Sequence, residues 1–275
     1  MTSFIDIHVH PPTSVLVDDG FRAYLDPDDL PAGPIDFGEL ADYYGERDGV
    51  AFVHAFDAGS ALGSPALTNE RLARSIAPFF DRLIGLGCVD PHRGEGGVVA
   101  AHDAHRMGLK GLFFHPPAQQ FDPTGRRFAP LWDMAEELAI PVVVHCGTTA
   151  FGAGRRGGSR VRLDVADPLN MDRVASTRPD LDIVLAGVTP PWEEAAIAVA
   201  THKANVHLAP AGRPDRLGAA MRDAMTGPLS ARVMMGSGFP FLAPDEWLEG
   251  WAALKPTDEV DAAVRSGNAK ALFRL

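Results

Sequence analysis

The stretch Phe4-Ile5-Asp6-Ile7-His8-Val9-His10, near the start of the chain, is the most informative part of the sequence. It is a short apolar run, which predicts a β-strand whose alternate side chains point to the same side. His8 and His10 would therefore converge on one face. Two imidazoles from one strand suit a divalent ion such as zinc. An ordinary strand whose histidines are only hydrogen-bonded is the competing interpretation.

The rest of the chain alternates short apolar runs with helical patterns, which predicts an α/β fold, namely a (β/α)₈ TIM-type barrel. A length of 275 residues suits one barrel domain spanning residues 1–275. An open doubly wound sheet is disfavoured because no G-x-G-x-x-G follows the first strand. The predicted strands are Phe4–Val9, Val50–Ala55, Leu83–Val89, Leu109–His115, Pro141–Cys146, Leu181–Ala186, Asn205–Leu208 and Arg232–Gly236.

Composition limits the binding partners and the cellular compartment that we expect for this protein. Asp and Glu total 36 against 25 Lys and Arg, giving a net charge of −11, which argues against nucleic acids and anionic membranes as partners. No apolar run approaches the ~20 residues that would cross a bilayer, and the first residues do not form a signal peptide. With only two cysteines, Cys88 and Cys146, we expect a cytoplasmic protein with reduced thiols.

Polar residues recur where the predicted strands end, which is where a barrel places its chemistry. A histidine alone at such a position is commonly structural. Histidines at the ends of four strands together predict a polar mouth that binds a small molecule. They are His8 and His10 on the first strand, His54 on the second, His115 on the fourth and His145 on the fifth.

Further motifs follow in order along the chain. They include Gly108-Leu109-Lys110-Gly111, Val144-His145-Cys146-Gly147, Pro190-Pro191-Trp192, Met235-Gly236-Ser237 and Gly267-Asn268-Ala269. With Asp6-Ile7-His8-Val9-His10-Pro11 they resemble the amidohydrolase superfamily over almost the whole chain. The closer likeness is to its amidohydrolase-related branch, which includes aminocarboxymuconate semialdehyde decarboxylase and resorcylate-type decarboxylases.

The resemblance implies a metal site and two departures from the family pattern. His8, His10 and His145 occupy family positions for metal ligands. Gly187 stands where the family usually has a histidine, and Gly238 stands where it usually has an aspartate. Three neutral imidazoles and a water still make a workable zinc site, with manganese as the alternative metal. A metal-free site, in which the histidines act as acid/base groups, is the other interpretation.

The expected function is a small-molecule enzyme, a hydrolase or decarboxylase that cleaves a C–C, C–N or C–O bond in a carboxylate-bearing cyclic or aromatic substrate. His145, His115 and His54 are the candidate catalytic residues. The alternatives are a metal-free lyase, isomerase or cyclase, and a non-catalytic binding protein. The resemblance also implies a homo-oligomer such as a dimer.

The sequence indicates substrate-binding residues less clearly than it indicates the strand-end histidines. Arg155 and Arg156 lie in the loop after the fifth strand, where an anionic group could bind, although a solvated loop explains them equally well. Trp192 starts a helical stripe and is equally well explained as core. Gly187 and Gly238 would enlarge the pocket, because two side chains are missing from the barrel mouth.

Overall fold

The structure is a computed structural model that describes residues 3–12, 24, 31–63 and 67–275. Its strands are parallel and form two sheets, in the orders β1-β2-β3 and β4-β5-β6-β7. The strands are β1 (Phe4–Val9), β2 (Gly49–His54), β3 (Leu83–Leu86), β4 (Leu112–Phe114), β5 (Val142–His145), β6 (Ile183–Val188) and β7 (Val206–Pro210). The first seven predicted strands are therefore present, and β3, β4 and β5 are shorter than expected.

The predicted eighth strand, Arg232–Gly236, is wrong as a strand. Ser230–Arg232 is a 3₁₀ turn, and the chain that follows, 233–239, makes only isolated parallel bridges, from Val233 to Leu208 and from Phe239 to Val9. We call residues 233–239 the closing segment, because it lies between β7 and β1. A further bridge joins Gly87 to Leu112, between β3 and β4. The architecture is that of a (β/α)₈ TIM-type barrel with an irregular eighth position.

Helices follow the strands and cover the outside. The α-helices are Phe37–Gly45, Gly59–Leu62, Asn69–Ile76, Glu95–Arg106, Pro116–Gln119, Ala129–Glu137, Pro168–Thr177, Glu193–His202, Ala219–Thr226, Pro244–Ala253, Asp258–Ala262 and Asn268–Phe273. Local sequence explains several starts: Thr68 and Asp167 cap helices with their side chains, and the second of these helices has proline in its first turn. None of the helices in the described ranges is long and apolar enough to span a bilayer.

The strands are buried on both faces, as expected of a parallel sheet covered by helices. Ile5, Phe52 and Val143 belong to the apolar cluster inside the barrel. Phe4 and Val53 belong to the larger cluster between the sheet and the helices. Alternate residues of each strand thus serve the interior and the helical layer.

A β-bulge in β1 changes which face its last residues occupy. Asp6 pairs with Ala51 but Val9 pairs with Val53, so β1 has one extra residue between these pairs. Val9 then faces the helical layer beside Val53, whereas His8 packs near Phe113 in the interior. The bulge therefore places His8 inside the barrel although Asp6, two residues earlier, contacts the helical layer.

Candidate active site

The histidines at the ends of β1, β2, β4 and β5 line one cavity of about 470 Å³ at the carboxyl ends of the strands. His8, His54, His115 and His145 are buried, and His10 is partly exposed. Among the described residues, no Asp, Glu, Lys or Arg side chain lines this cavity. The other polar side chains of its wall are hydroxyl groups, from Thr148, Thr149, Thr189 and Ser237.

Three histidines from the adjacent strands β1 and β2 form the tightest group. Each of His8, His10 and His54 offers a ring nitrogen, and these atoms all lie within 4.8 Å of one another. His54 Nδ1 lies 3.0 Å from the carbonyl oxygen of Ala55, which can only accept, so Nδ1 carries the proton and Nε2 the lone pair. His54 Nε2 lies 3.2 Å from His10 Nδ1. Both ring nitrogens of His8 are buried without a hydrogen-bond partner.

His115 and His145 form a second group on the other side of the cavity. Their rings stack, with centroids 4.1 Å apart and an angle of 7° between the planes. His145 Nε2 donates to the carbonyl oxygen of Thr148 at 2.9 Å, which leaves Nδ1 buried and unpartnered. The backbone N–H of Ala118 donates to His115 Nδ1 at 3.2 Å, so His115 Nε2 carries the proton and lies 3.5 Å from Thr149 Oγ1.

Lowered pKa values keep all five imidazoles neutral near pH 7. Desolvation, followed by repulsion from His10 and His145, holds the pKa of His8 well below its usual range. Desolvation, followed by repulsion from His8 and His145, lowers the pKa of His54 to about 3, and desolvation lowers the pKa of His145 to about 4. The pKa values of His10 and His115 are also well below the usual range, chiefly through desolvation. Neutral imidazole is the form that binds a metal.

Two features of the wall orient these groups and were not predicted from the sequence. Thr189, just after β6, accepts a hydrogen bond from the backbone N–H of Thr148 at 2.9 Å, and so fixes the carbonyl that orients His145. Aromatic rings complete the wall: Phe241 meets His10 edge-on at 5.3 Å, and Phe151 meets His115 at 5.5 Å. The only sequence signal for them is their place in loops that follow strands.

The role of Asp6 is a third feature of the site that the Asp6-Ile7-His8-Val9-His10 motif did not indicate. Its carboxylate is fully buried outside the cavity and accepts hydrogen bonds from the His8 and Ser237 backbone N–H groups and from the Ser237 and Tyr44 hydroxyls. Desolvation raises the pKa of Asp6 to about 6, and these hydrogen bonds oppose that rise. Asp6 therefore links β1 to the closing segment next to His8, one of the candidate metal ligands.

The predicted site residues are only partly brought together. Gly187 and Gly238 line the cavity with the five histidines. Arg155 and Arg156 have exposed side chains and Trp192 caps the helix Glu193–His202, and none of these three lines the cavity. The loop after β5 approaches the cavity through Thr148–Phe151 instead. Between β1 and β2, residues 13–23 and 25–30 lie outside the described part of the chain.

Comparison with known proteins supports the fold and the family. No curated protein matches the sequence. An uncharacterized TIM-barrel protein from Bordetella bronchiseptica is 17% identical over 98% of both chains, with a TM-score of 0.79. The 5-carboxyvanillate decarboxylase of Sphingomonas paucimobilis is 17% identical over 100% of both chains, with a TM-score of 0.72.

A third structure shows a member of this fold with a metal. The dihydroxybenzoic acid decarboxylase of Polaromonas sp., which holds manganese and the inhibitor 2-nitroresorcinol, is 15% identical, with a TM-score of 0.68 over 100% of this chain and 98% of that one. At these identities the likeness shows the fold. The sequence model of the amidohydrolase family matches residues 5–275. With its strand-end histidines gathered at the mouth of a TIM-type barrel, the chain belongs to the amidohydrolase family.

Proposed function

We propose that the protein is a decarboxylase of a small aromatic or cyclic carboxylate, using a divalent metal held by His8, His10 and a further imidazole of the cavity. The observation that supports this most is the convergence of five neutral histidines on one cavity that has no Asp, Glu, Lys or Arg among its described lining residues. Hydrolysis of a C–N or C–O bond in the same kind of substrate is the second candidate, favoured by the family name.

The histidines of this site fit a metal. Both nitrogens of His8 are buried without a partner, which costs about 1–3 kcal/mol for each polar group unless something binds there. Imidazole suits zinc and also binds other first-row ions, so zinc is the first choice and manganese the alternative. When bound, the ion supplies a Lewis acid that polarises a carboxylate or carbonyl oxygen. A metal-free site working through the imidazoles remains the alternative mechanism.

The charge of the site favours an anionic substrate. Three neutral ligands leave a divalent ion its full positive charge in an apolar cavity, so a carboxylate is needed to balance it. No described Lys or Arg lines the cavity, and the substrate carboxylate therefore has no other cationic partner there. The rings of Phe56, Phe151 and Phe241 in the wall suit a planar substrate. The decarboxylases that share this fold act, by their names, on aromatic carboxylates.

Decarboxylation needs no activated water, and this is why we prefer it. The bond between the ring carbon and the carboxylate breaks, CO₂ leaves, and the electron pair stays on the carbon, which then takes a proton. No carboxylate lines the described wall to act as a base that would activate water for hydrolysis. We assign proton transfer to His145, whose unpartnered Nδ1 lone pair can take a proton from the substrate or from water and pass it to the carbon, with His115 stacked beside it and its Nε2–H directed toward Thr149. His54 is assigned to the metal side of the cavity.

A metal assay and a substrate panel test this function. We expect the protein purified without chelator to hold about one equivalent of zinc or manganese, and His8→Ala to lose it together with about 10³-fold in turnover, equivalent to ~4 kcal/mol. His202→Ala, at an exposed helix end, is the matched control and should change neither. The panel is a set of hydroxylated benzoates and cyclic carboxylates, scored by CO₂ release and by hydrolysis products.

Other outcomes of the same assay contradict specific parts of the proposal. Turnover without metal, lost in His145→Ala, would favour the metal-free enzyme. Tight binding of a panel compound without any turnover would favour a binding protein. Hydrolysis products without CO₂ would replace the decarboxylase with the second candidate.

Gly238→Asp is expected to raise metal affinity about tenfold or more, because it restores a carboxylate at the position where the family usually has one. A Cβ at Gly238 would meet only His8 Nδ1, at 3.9 Å, so the new side chain has room beside the metal-candidate histidines. Asp tolerates the left-handed backbone here, where φ is +70°. Zinc competition titration measures the effect, and Gly238→Asn is the uncharged control. Equal affinities of the Asp and Asn variants would contradict the alignment of Gly238 with the family aspartate.

A further inference from the structure

We propose that the third metal ligand of this protein is His54 on β2, and that His145 on β5 has left the metal side to serve the substrate side of the cavity. This inference rests on the metal of the proposed function. It concerns which of two buried histidines completes the site that His8 and His10 begin. The choice matters because it decides which imidazole remains free for chemistry.

The distances favour His54. The ring nitrogens of His8, His10 and His54 lie within 4.8 Å of one another, and this is the only such group of three found in the described ranges. His54 Nε2 and His10 Nδ1 are 3.2 Å apart. Two ligands of one tetrahedral zinc ion, each about 2.0–2.1 Å from it, lie about 3.3–3.4 Å apart. The pair therefore needs almost no movement to share an ion.

The orientation of His54 is fixed by its surroundings. Its ring stacks on Phe113, with centroids 3.8 Å apart and an angle of 13° between the planes. Its Nδ1–H donates to the carbonyl oxygen of Ala55, which leaves the Nε2 lone pair directed at His10. Metal-binding histidines in proteins characteristically donate their other N–H to such a carbonyl, since this fixes both tautomer and ring orientation.

His145 is held away from that group. Its nitrogens do not belong to the group that lies within 4.8 Å, and its Nε2–H donates to the carbonyl oxygen of Thr148. The rings of His54 and His10, by contrast, have centroids only 5.0 Å apart. The ring of His145 stacks on His115 and occupies the space beside Gly187. A Cβ at Gly187 would lie 2.6 Å from His145 Nδ1, so only glycine permits this position. Because Gly187 on β6 has no side chain, the ring of His145 can lie on the substrate side of the cavity, away from His8 and His10.

The experiment compares His54→Phe with His145→Phe in the full-length protein. Phenylalanine keeps an aromatic ring at each position, and with it the stacking contact, but removes the ring nitrogens. We expect zinc affinity, measured by competition with a chromophoric chelator, to fall at least about 100-fold in His54→Phe and to change less than about threefold in His145→Phe. His145→Phe should instead lower turnover of whichever panel substrate is found.

Cobalt substitution gives a second readout that does not need His54→Phe to fold. The visible spectrum of Co²⁺ reports its ligands, so it should be the same in the wild-type protein and in His145→Phe. A changed spectrum, or zinc affinity lost in His145→Phe and kept in His54→Phe, would overturn the inference while leaving the proposed function standing. A wild-type protein that binds neither zinc nor cobalt would overturn both.

Discussion

Gly187→Ala is expected to destabilise the protein by about 3 kcal/mol, against about 1–2 kcal/mol for Gly238→Ala. The two glycines are a matched pair, since their φ angles are +69° and +70°, in the left-handed region that disfavours a side chain. They differ in the space around them: a Cβ at Gly187 would lie 2.6 Å from His145 Nδ1, whereas the nearest atom to a Cβ at Gly238 lies 3.9 Å away. The loss of unfolding free energy in Gly187→Ala beyond that in Gly238→Ala therefore measures the contact with His145.

Urea unfolding of both variants gives these values, provided that the m-values stay unchanged. A double-mutant cycle assigns the excess, because in a His145→Ala background the cost of Gly187→Ala should fall to that of Gly238→Ala. Equal costs of the two single variants would show that His145 does not occupy the space beside Gly187. That result would also remove one of the arguments that place His145 on the substrate side.

The sequence predicts the position of the site better than its internal arrangement. The β1 strand lies at Phe4–Val9 as expected, and the strand-end histidines do line one cavity. Hydrophobic periodicity and barrel geometry suffice for this, because both depend on local pattern. Strict alternation, however, would place Asp6 on the same face as His8 and His10. The β-bulge separates Asp6 from them, and it depends on pairing with β2, which local pattern does not encode.

The other differences between the predicted and the observed structure also arise from contacts between distant parts of the chain. The sequence predicts a strand at Arg232–Gly236, yet the residue that follows it, Ser237, turns its backbone N–H and hydroxyl to Asp6, and its hydroxyl also accepts from the N–H of Phe239. The role of His145 as a metal ligand stays a prediction, but the grouping of His54 with His8 and His10 is one that the resemblance did not indicate. Tertiary hydrogen bonds and stacking decide such details, and spacing along the chain does not report them.

Asp6→Ala is expected to cost about 3–5 kcal/mol of unfolding free energy, because it removes the buried carboxylate that accepts from two backbone N–H groups and two hydroxyls. Asp6 accepts from His8, Tyr44 and Ser237, and so joins β1, the helix Phe37–Gly45 and the closing segment. Alanine would leave two backbone N–H groups and two hydroxyls to find new partners in the interior. Asp6→Asn keeps an acceptor for the N–H groups and should cost less.

Tyr44→Phe is the matched control, since it removes one of these donors and keeps the buried ring. It should cost about 1.5–3 kcal/mol, the usual net value of one hydrogen bond to a charged group. Because the lost bonds also hold the backbone of His8 and Ser237, Asp6→Ala should weaken zinc binding as well, whereas Tyr44→Phe should not. Urea unfolding and zinc titration of the three variants separate these effects. If Asp6→Ala were no more destabilised than Tyr44→Phe, the carboxylate would not be the link between β1 and the closing segment, and the position of His8 would have to depend on the bulge alone.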